Sequence, residues 1–183
     1  MSSNGFAPEI FSTNSSFSDQ LSIGGVSASN LVKEFGSPLF VVDEGDFLSR
    51  ATSFKASLEK NFGTHAGTVY YASKAFLNKE IARWIDKAGL GIDVASGGEL
   101  AVVLSVGFPA DRIGVHGNNK SEEEIATAIT AGVGTIIIDS AFEIERVARI
   151  AASLKKIQKV YIRVTPGVEA HTHEAISTAH EDV

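Results

Sequence analysis

One repeat constrains the fold of this chain more than any other feature. From Thr68 onward, short apolar runs alternate with segments of helical periodicity, at a spacing of about 22 to 25 residues. Strands are expected at Thr68 to Ala72, Gly91 to Val94, Arg112 to Val115, Thr135 to Ile138 and Val160 to Val164. Helices are expected at Leu77 to Ala88 (with Ile81, Trp84 and Ile85 inward), Gly97 to Val106, Glu122 to Ala131 and Phe142 to Leu154. The strands carry few polar residues, as parallel strands covered on both faces do. Consecutive βα units of this length build either a TIM barrel or a doubly wound sheet, and the regularity favours the barrel. A full eight-unit barrel needs about 250 residues. This chain has 183 and shows five or six strands. It runs to His180-Glu181-Asp182-Val183 without a stop signal or closing helix. The expectation is therefore α/β, a partial TIM (β/α)8-type barrel, with a smaller open sheet as the alternative.

Three helix starts carry the same S-x-x-E signature: Ser96-Gly97-Gly98-Glu99, Ser121-Glu122-Glu123-Glu124 and Ser140-Ala141-Phe142-Glu143. In such a box the Ser oxygen takes the N3 amide and the Glu reaches back to the cap amide. For Ser121 and Ser140, capping accounts for the whole motif. Each box follows a strand directly or closely, so these strand-to-helix turns share one face. Upstream, Leu39-Phe40-Val41-Val42 after Pro38 reads as a strand. Asp43 is placed to cap the next helix, with Asp46 in its first turn. Phe47, Leu48, Ala51, Phe54, Leu58 and Phe62 then recur at helical spacing until Gly63 stops the pattern. Residues 1–30 differ in kind, being rich in Ser, Asn and Gly with Phe6, Phe11, Phe17 and Leu21 scattered among them. They read as a loop or docked strip ahead of a barrel domain over 31–183, and they lack the basic start and apolar middle of a secretory signal.

Composition narrows the function. Sixteen basic against 22 acidic residues give a net charge of -6, which argues against a nucleic-acid or anionic-membrane surface. The absence of cysteine rules out disulfides, thiolate metal sites and Cys nucleophiles, and fits a cytoplasmic setting. No apolar run reaches the roughly 20 residues that span a bilayer.

The stretch Val69-Tyr70-Tyr71-Ala72-Ser73-Lys74 places a lysine at the C-terminal end of a strand, where α/β folds put their chemistry. A Lys amine attacks carbonyls once its setting lowers its pKa, and the usual carbonyl partner is pyridoxal phosphate. The competing reading is a solvated Lys capping a strand.

Five motifs stand in order along the chain: Tyr70-Tyr71-Ala72-Ser73-Lys74-Ala75, Asp93-Val94-Ala95-Ser96-Gly97-Gly98-Glu99-Leu100, His116-Gly117-Asn118-Asn119-Lys120-Ser121, Arg163-Val164-Thr165-Pro166-Gly167-Val168 and Ala170-His171-Thr172-His173-Glu174. Together they resemble the diaminopimelate decarboxylase family, pyridoxal-phosphate enzymes of the alanine-racemase-like barrel type (fold type III). The resemblance covers about Ser37 to Val183. It implies that Lys74 forms the Schiff base with pyridoxal 5'-phosphate and moves protons once freed. It implies that Asp93 lies close to that lysine, and that Arg163 and His116 border the cofactor. Glu99 has two readings, a partner for the lysine or the capping residue of its own box. Arg163, alternating with Ile162 and Val164, is expected to point inward, where a buried Arg needs an anionic partner. His116 is either a satisfied structural residue or a wall of the pocket. His171, His173 and Glu174 suggest a metal by type, but the resemblance makes them an active-site loop, with no metal.

The implied reaction converts meso-2,6-diaminopimelate to L-lysine and CO2, the last step of lysine biosynthesis, in a homodimer. Members of the family also carry a ring-stacking His, a Gly-rich phosphate loop, an acidic partner for the ring nitrogen and a C-terminal β domain, none of which this sequence contains. The 183-residue chain alone is expected to have little or no activity. The alternatives are an ornithine- or arginine-type decarboxylase, a non-catalytic pyridoxal-phosphate-binding barrel, and a plain interaction domain in which Lys74 is a surface residue.

Overall fold

The computed structural model describes residues 16–17, 20–64 and 67–164. The chain divides into two compact units, one formed by residues up to 71 together with 80–91, the other by 72–79 together with the residues from 92 on.

The first unit begins with a small antiparallel sheet of Ser16–Phe17 (β1), Leu21–Ile23 (β2) and Val26–Ser27 (β3), in that order. Ile23 pairs with Val26 across Gly24-Gly25. Both glycines have positive φ, 55° and 80°, which a two-residue type I′ hairpin requires. Ser27 then caps Ala28–Phe35 (α1) by accepting from the Asn30 amide at 3.3 Å, and Gly36 ends that helix. Regular structure thus starts well before Leu31, within the Ser-rich segment.

No strand forms at Leu39–Val42. The run lies between the end of α1 and the Asp43 cap of Glu44–Phe62 (α2), with Phe40 97% exposed. Its composition is strand-like, but a strand needs a ladder partner, and none of the described strands pairs with it. The cap itself is as the sequence indicates: Asp43 Oδ1 accepts from the Asp46 amide at 2.9 Å, and Gly63 terminates the helix. Of the apolar positions read along α2, only Ala51 is buried, whereas Phe54 and Phe62 are exposed. Phe47 stacks obliquely on Tyr71 and Trp84, at 5.4 and 5.7 Å between ring centroids. In Lys79–Lys87 (α3), Ile81, Ala82 and Ile85 are buried and Trp84 is half-buried.

The main sheet has the order Tyr70–Ala72 (β4), Gly91–Val94 (β5), Ile113–Val115 (β6), Thr135–Ile138 (β7) and Val160–Ile162 (β8). From β5 to β8 the pairs are parallel, with Ile92 opposite Ile113, Val115 opposite Ile136 and Ile138 opposite Ile162. The crossovers are Gly97–Ser105 (α4), Glu122–Ala131 (α5) and Ala141–Ser153 (α6). Alternating βα units therefore fold as the repeat predicts. The core of the second unit is aliphatic: Ile92, Val94, Leu100, Val103, Ile113, Ile125, Ile129, Ile136 and Ile138 are essentially inaccessible to water. β8 is exposed along its length.

One glycine in this unit is sterically compulsory. A Cβ on Gly134 would lie 2.0 Å from the carbonyl oxygen of Asp111, and the Gly134 amide donates to Ala110 O at 2.9 Å. The contact is with backbone, so no rotamer relieves it. Gly134→Ala is expected to cost about 3 kcal/mol and to lower Tm by roughly 10 °C. Thermal unfolding followed by circular dichroism checks this, and an unchanged Tm would contradict the close approach.

Candidate functional site

The polar residues of the second unit gather where strands end. β4 runs into a single 3-10 turn, Ser73–Ala75, which carries Lys74. Ser73 is buried, and its hydroxyl donates to Glu99 Oε2 at 2.6 Å. The same oxygen accepts from the Ala95 amide at 2.6 Å. Glu99 is therefore an anchor for the turn before Lys74 and for the end of β5. It is neither the lysine's ion-pair partner nor a complete capping box, although Ser96 Oγ does accept from the Glu99 amide at 3.3 Å. Lys74 itself is exposed, and no described carboxylate pairs with it.

Asp93, on β5, is paired with His116, the residue after β6. Asp93 Oδ2 lies 3.2 Å from His116 Nδ1, both side chains being about a third exposed. The His116 amide donates to Val94 O at 2.7 Å. Arg163 follows β8 and donates from Nη1 to Asp139 Oδ1 at 3.0 Å. The anionic partner expected for Arg163 is present, but the burial is not: its side chain is 39% exposed. Arg163 follows the last residue of β8, and its amide still donates to Ile138 O of β7 at 2.9 Å. Its other guanidinium donors have no described protein partner.

Lys120 and Glu143 form a further ion pair at 3.0 Å, with side chains only 3% and 6% exposed. Lys120 Nζ also donates to the carbonyls of Gly117 and Ile137, so all three of its N–H bonds are used. Asp139, Lys120 and Glu143 escaped the sequence reading as members of this cluster. The available signals were a carboxylate directly after an apolar strand, and a lysine directly before an S-x-x-E box.

The three boxes differ in detail. Ser121 and Glu124 make a complete one. Ser140 makes no side-chain cap, which corrects the expectation for that motif. There the Glu143 amide bonds to Ser140 O at 3.1 Å, and the Glu143 carboxylate is taken by the Asp139 amide and Lys120. His171, His173 and Glu174 lie outside the described residues; among the described residues, no group of three His, Cys, Asp or Glu is placed to hold a metal. No described helix is long and apolar enough to cross a membrane.

Glu124 titrates below the ordinary carboxylate range. The amides of Ser121 and Gly97 donate to its carboxylate at 2.8 and 2.6 Å, holding its pKa below the ordinary carboxylate value, and Lys120 adds in the same direction. A lowered folded-state pKa stabilises above the unfolded value, near 4.3, and that stability is lost as pH falls through the folded value. Native protein is expected to exceed Glu124→Gln in stability at pH 7 by about 1 kcal/mol, the worth of a cap at a solvated site. The gap should close below pH of about 4. Urea midpoints of the two proteins across that range test the window.

Known proteins resemble this chain in sequence and in fold. Residues 45–183 match the family model described as pyridoxal-dependent decarboxylase, pyridoxal binding domain. The chain is 54% identical over 160 residues to a diaminopimelate decarboxylase of Mycobacterium tuberculosis, covering 87% of this chain and 35% of that protein. It is 46% identical over 162 residues to the Corynebacterium efficiens enzyme of the same name, covering 88% and 34%. A crystal structure of diaminopimelate decarboxylase from M. jannaschii in complex with L-lysine superposes with a TM-score of 0.76 at 31% identity, over 91% of this chain and 39% of that one. The chain thus spans about a third of the length of the relatives it matches.

Proposed function

The chain belongs to the pyridoxal-dependent decarboxylases, through their pyridoxal-binding domain, and from that premise we propose that it serves the decarboxylation of meso-2,6-diaminopimelate to L-lysine. The observation that carries this reading is Lys74: an amine that pairs with no described carboxylate, just after β4, in a turn anchored by the hydrogen bond from buried Ser73 to Glu99. Pyridoxal 5'-phosphate, when bound, supplies the electron sink for the pair left as CO2 departs.

The side chains present fit the aldehyde end of such a cofactor. Lys74 Nζ would hold the cofactor covalently through its aldehyde, and the same amine would be the group to give or take a proton there. Asp93 and His116 form a polar wall, with the Asp93 carboxylate 3.2 Å from the His116 ring nitrogen Nδ1. Arg163, steadied by Asp139, has guanidinium donors without a described partner to offer an anionic group. His171, His173 and Glu174 belong to a substrate loop in this reading. The choice of diaminopimelate over ornithine or arginine is supported by the names of the relatives at 54% and 46% identity. We also propose a cytoplasmic homodimer for the whole enzyme, and little or no turnover by these 183 residues alone.

Trapping tests the proposal. The purified chain is mixed with pyridoxal phosphate, reduced with borohydride and digested, and the pyridoxyl-bearing peptide is found by mass. Label should concentrate on the peptide containing Lys74 and fall at least about tenfold in Lys74→Ala. A folded chain labelled evenly over its lysines would sink the cofactor reading.

A further inference from the structure

Nothing in the proposed chemistry uses the buried Lys120–Glu143 pair, yet it touches both loops that present the exposed ion pairs. Lys120 Nζ holds Gly117 O, next to His116, and Ile137 O, within β7. Glu143 Oε1 meets Lys120 Nζ, and Glu143 Oε2 accepts from the Asp139 amide at 2.8 Å. Arg146 Nη1 donates to the backbone oxygen of Lys120 at 2.9 Å, tying the same loop to α6. The β6 loop is also tightly seated, since Gly117 has φ of 106° and a Cβ there would lie 2.9 Å from Ala95 O. The connections run without a break from Asp93 and His116, through Gly117, Lys120 and Glu143, to Asp139 and Arg163. Desolvating two charges is costly, and an apolar pair of similar volume would fill the same space. A purely packing role does not call for a lysine whose three N–H bonds reach one carboxylate and the carbonyls of a loop and of the neighbouring strand.

We propose that Lys120 and Glu143 are positioning residues: together they lock the loops after β6 and β7 into one block, setting His116 and the Asp139–Arg163 pair for the cofactor. The inference rests on the proposed function, but its first consequence is independent of any ligand. In the cofactor-free chain, amides of residues 116–120 and 138–140 should exchange slowly with deuterium. In the double variant Lys120→Met/Glu143→Leu they should exchange at least about tenfold faster, with the remaining amides and Tm little changed. A second variant, Glu143→Gln, keeps the shape and an acceptor for the Asp139 amide while removing the charge. It should loosen 116–120 more than 138–140.

The second consequence is read with the cofactor. The pyridoxal phosphate concentration giving half-maximal labelling of Lys74 should rise about tenfold in either variant, while labelling at saturation still reaches Lys74. Exchange accelerated throughout the chain, or unchanged in the two loops, overturns the positioning role, as does an unchanged half-saturation. Failure of the proposed function shows elsewhere, as native protein that does not label Lys74 at all, and the exchange comparison then still decides whether the loops are locked.

Discussion

The arrangement of the second unit depends on one recurring interaction, a glutamate at the third position of a helix that serves two units at once. Glu99 binds the Ala95 amide of its own loop and the Ser73 hydroxyl of the loop before. Glu124 binds the Ser121 amide and the Gly97 amide, which opens the preceding helix. Glu143 binds the Asp139 amide and Lys120, again one unit back. Each carboxylate satisfies an amide that would otherwise be left over at a strand end or helix start. Each also fixes the lateral position of a neighbouring loop. In the Glu124 case the approach is so close that a Cβ on Gly97 would lie 2.8 Å from Oε1.

This interaction explains how an exposed rim can hold a defined geometry. Loops at strand ends gain little from apolar burial, and isolated surface ion pairs contribute little. Here the exposed pairs, Asp93 with His116 and Arg163 with Asp139, are tied to backbone that is already secured by partly or fully buried bonds. The electrostatics of the rim are therefore set by the scaffold rather than by the flexible side chains themselves, which is the condition for a preorganised site.

The fold was largely legible because its signals are local. Aliphatic runs such as Thr135–Ile138, and boxes such as Ser121 to Glu124, carry their strand or cap in a few adjacent residues, and both elements have the boundaries read from sequence. Leu39–Val42 shows where locality fails, since an apolar run becomes a strand only when another strand pairs with it. The hairpin at Gly24-Gly25 went unread because strands of two or three residues are too short to show alternation. Lys74, Asp93, His116 and Arg163 could be singled out in the sequence as candidates, but their pairings could not. That Asp93 would face His116, and that Asp139 would hold Arg163, are tertiary facts about neighbouring strands. Likewise nothing in the spacing of Ser140 and Glu143 reveals that Lys120 occupies the carboxylate.

The glutamate contacts also have a direction. In every case the carboxylate comes later in the chain than the loop it secures, so each bond reaches toward the N-terminus. During synthesis the earlier loop has already left the ribosome when the glutamate that clasps it emerges. A nascent chain of this design has no need to wait for distant sequence to finish a strand end: each new βα unit, as it docks, closes the loop of the one before.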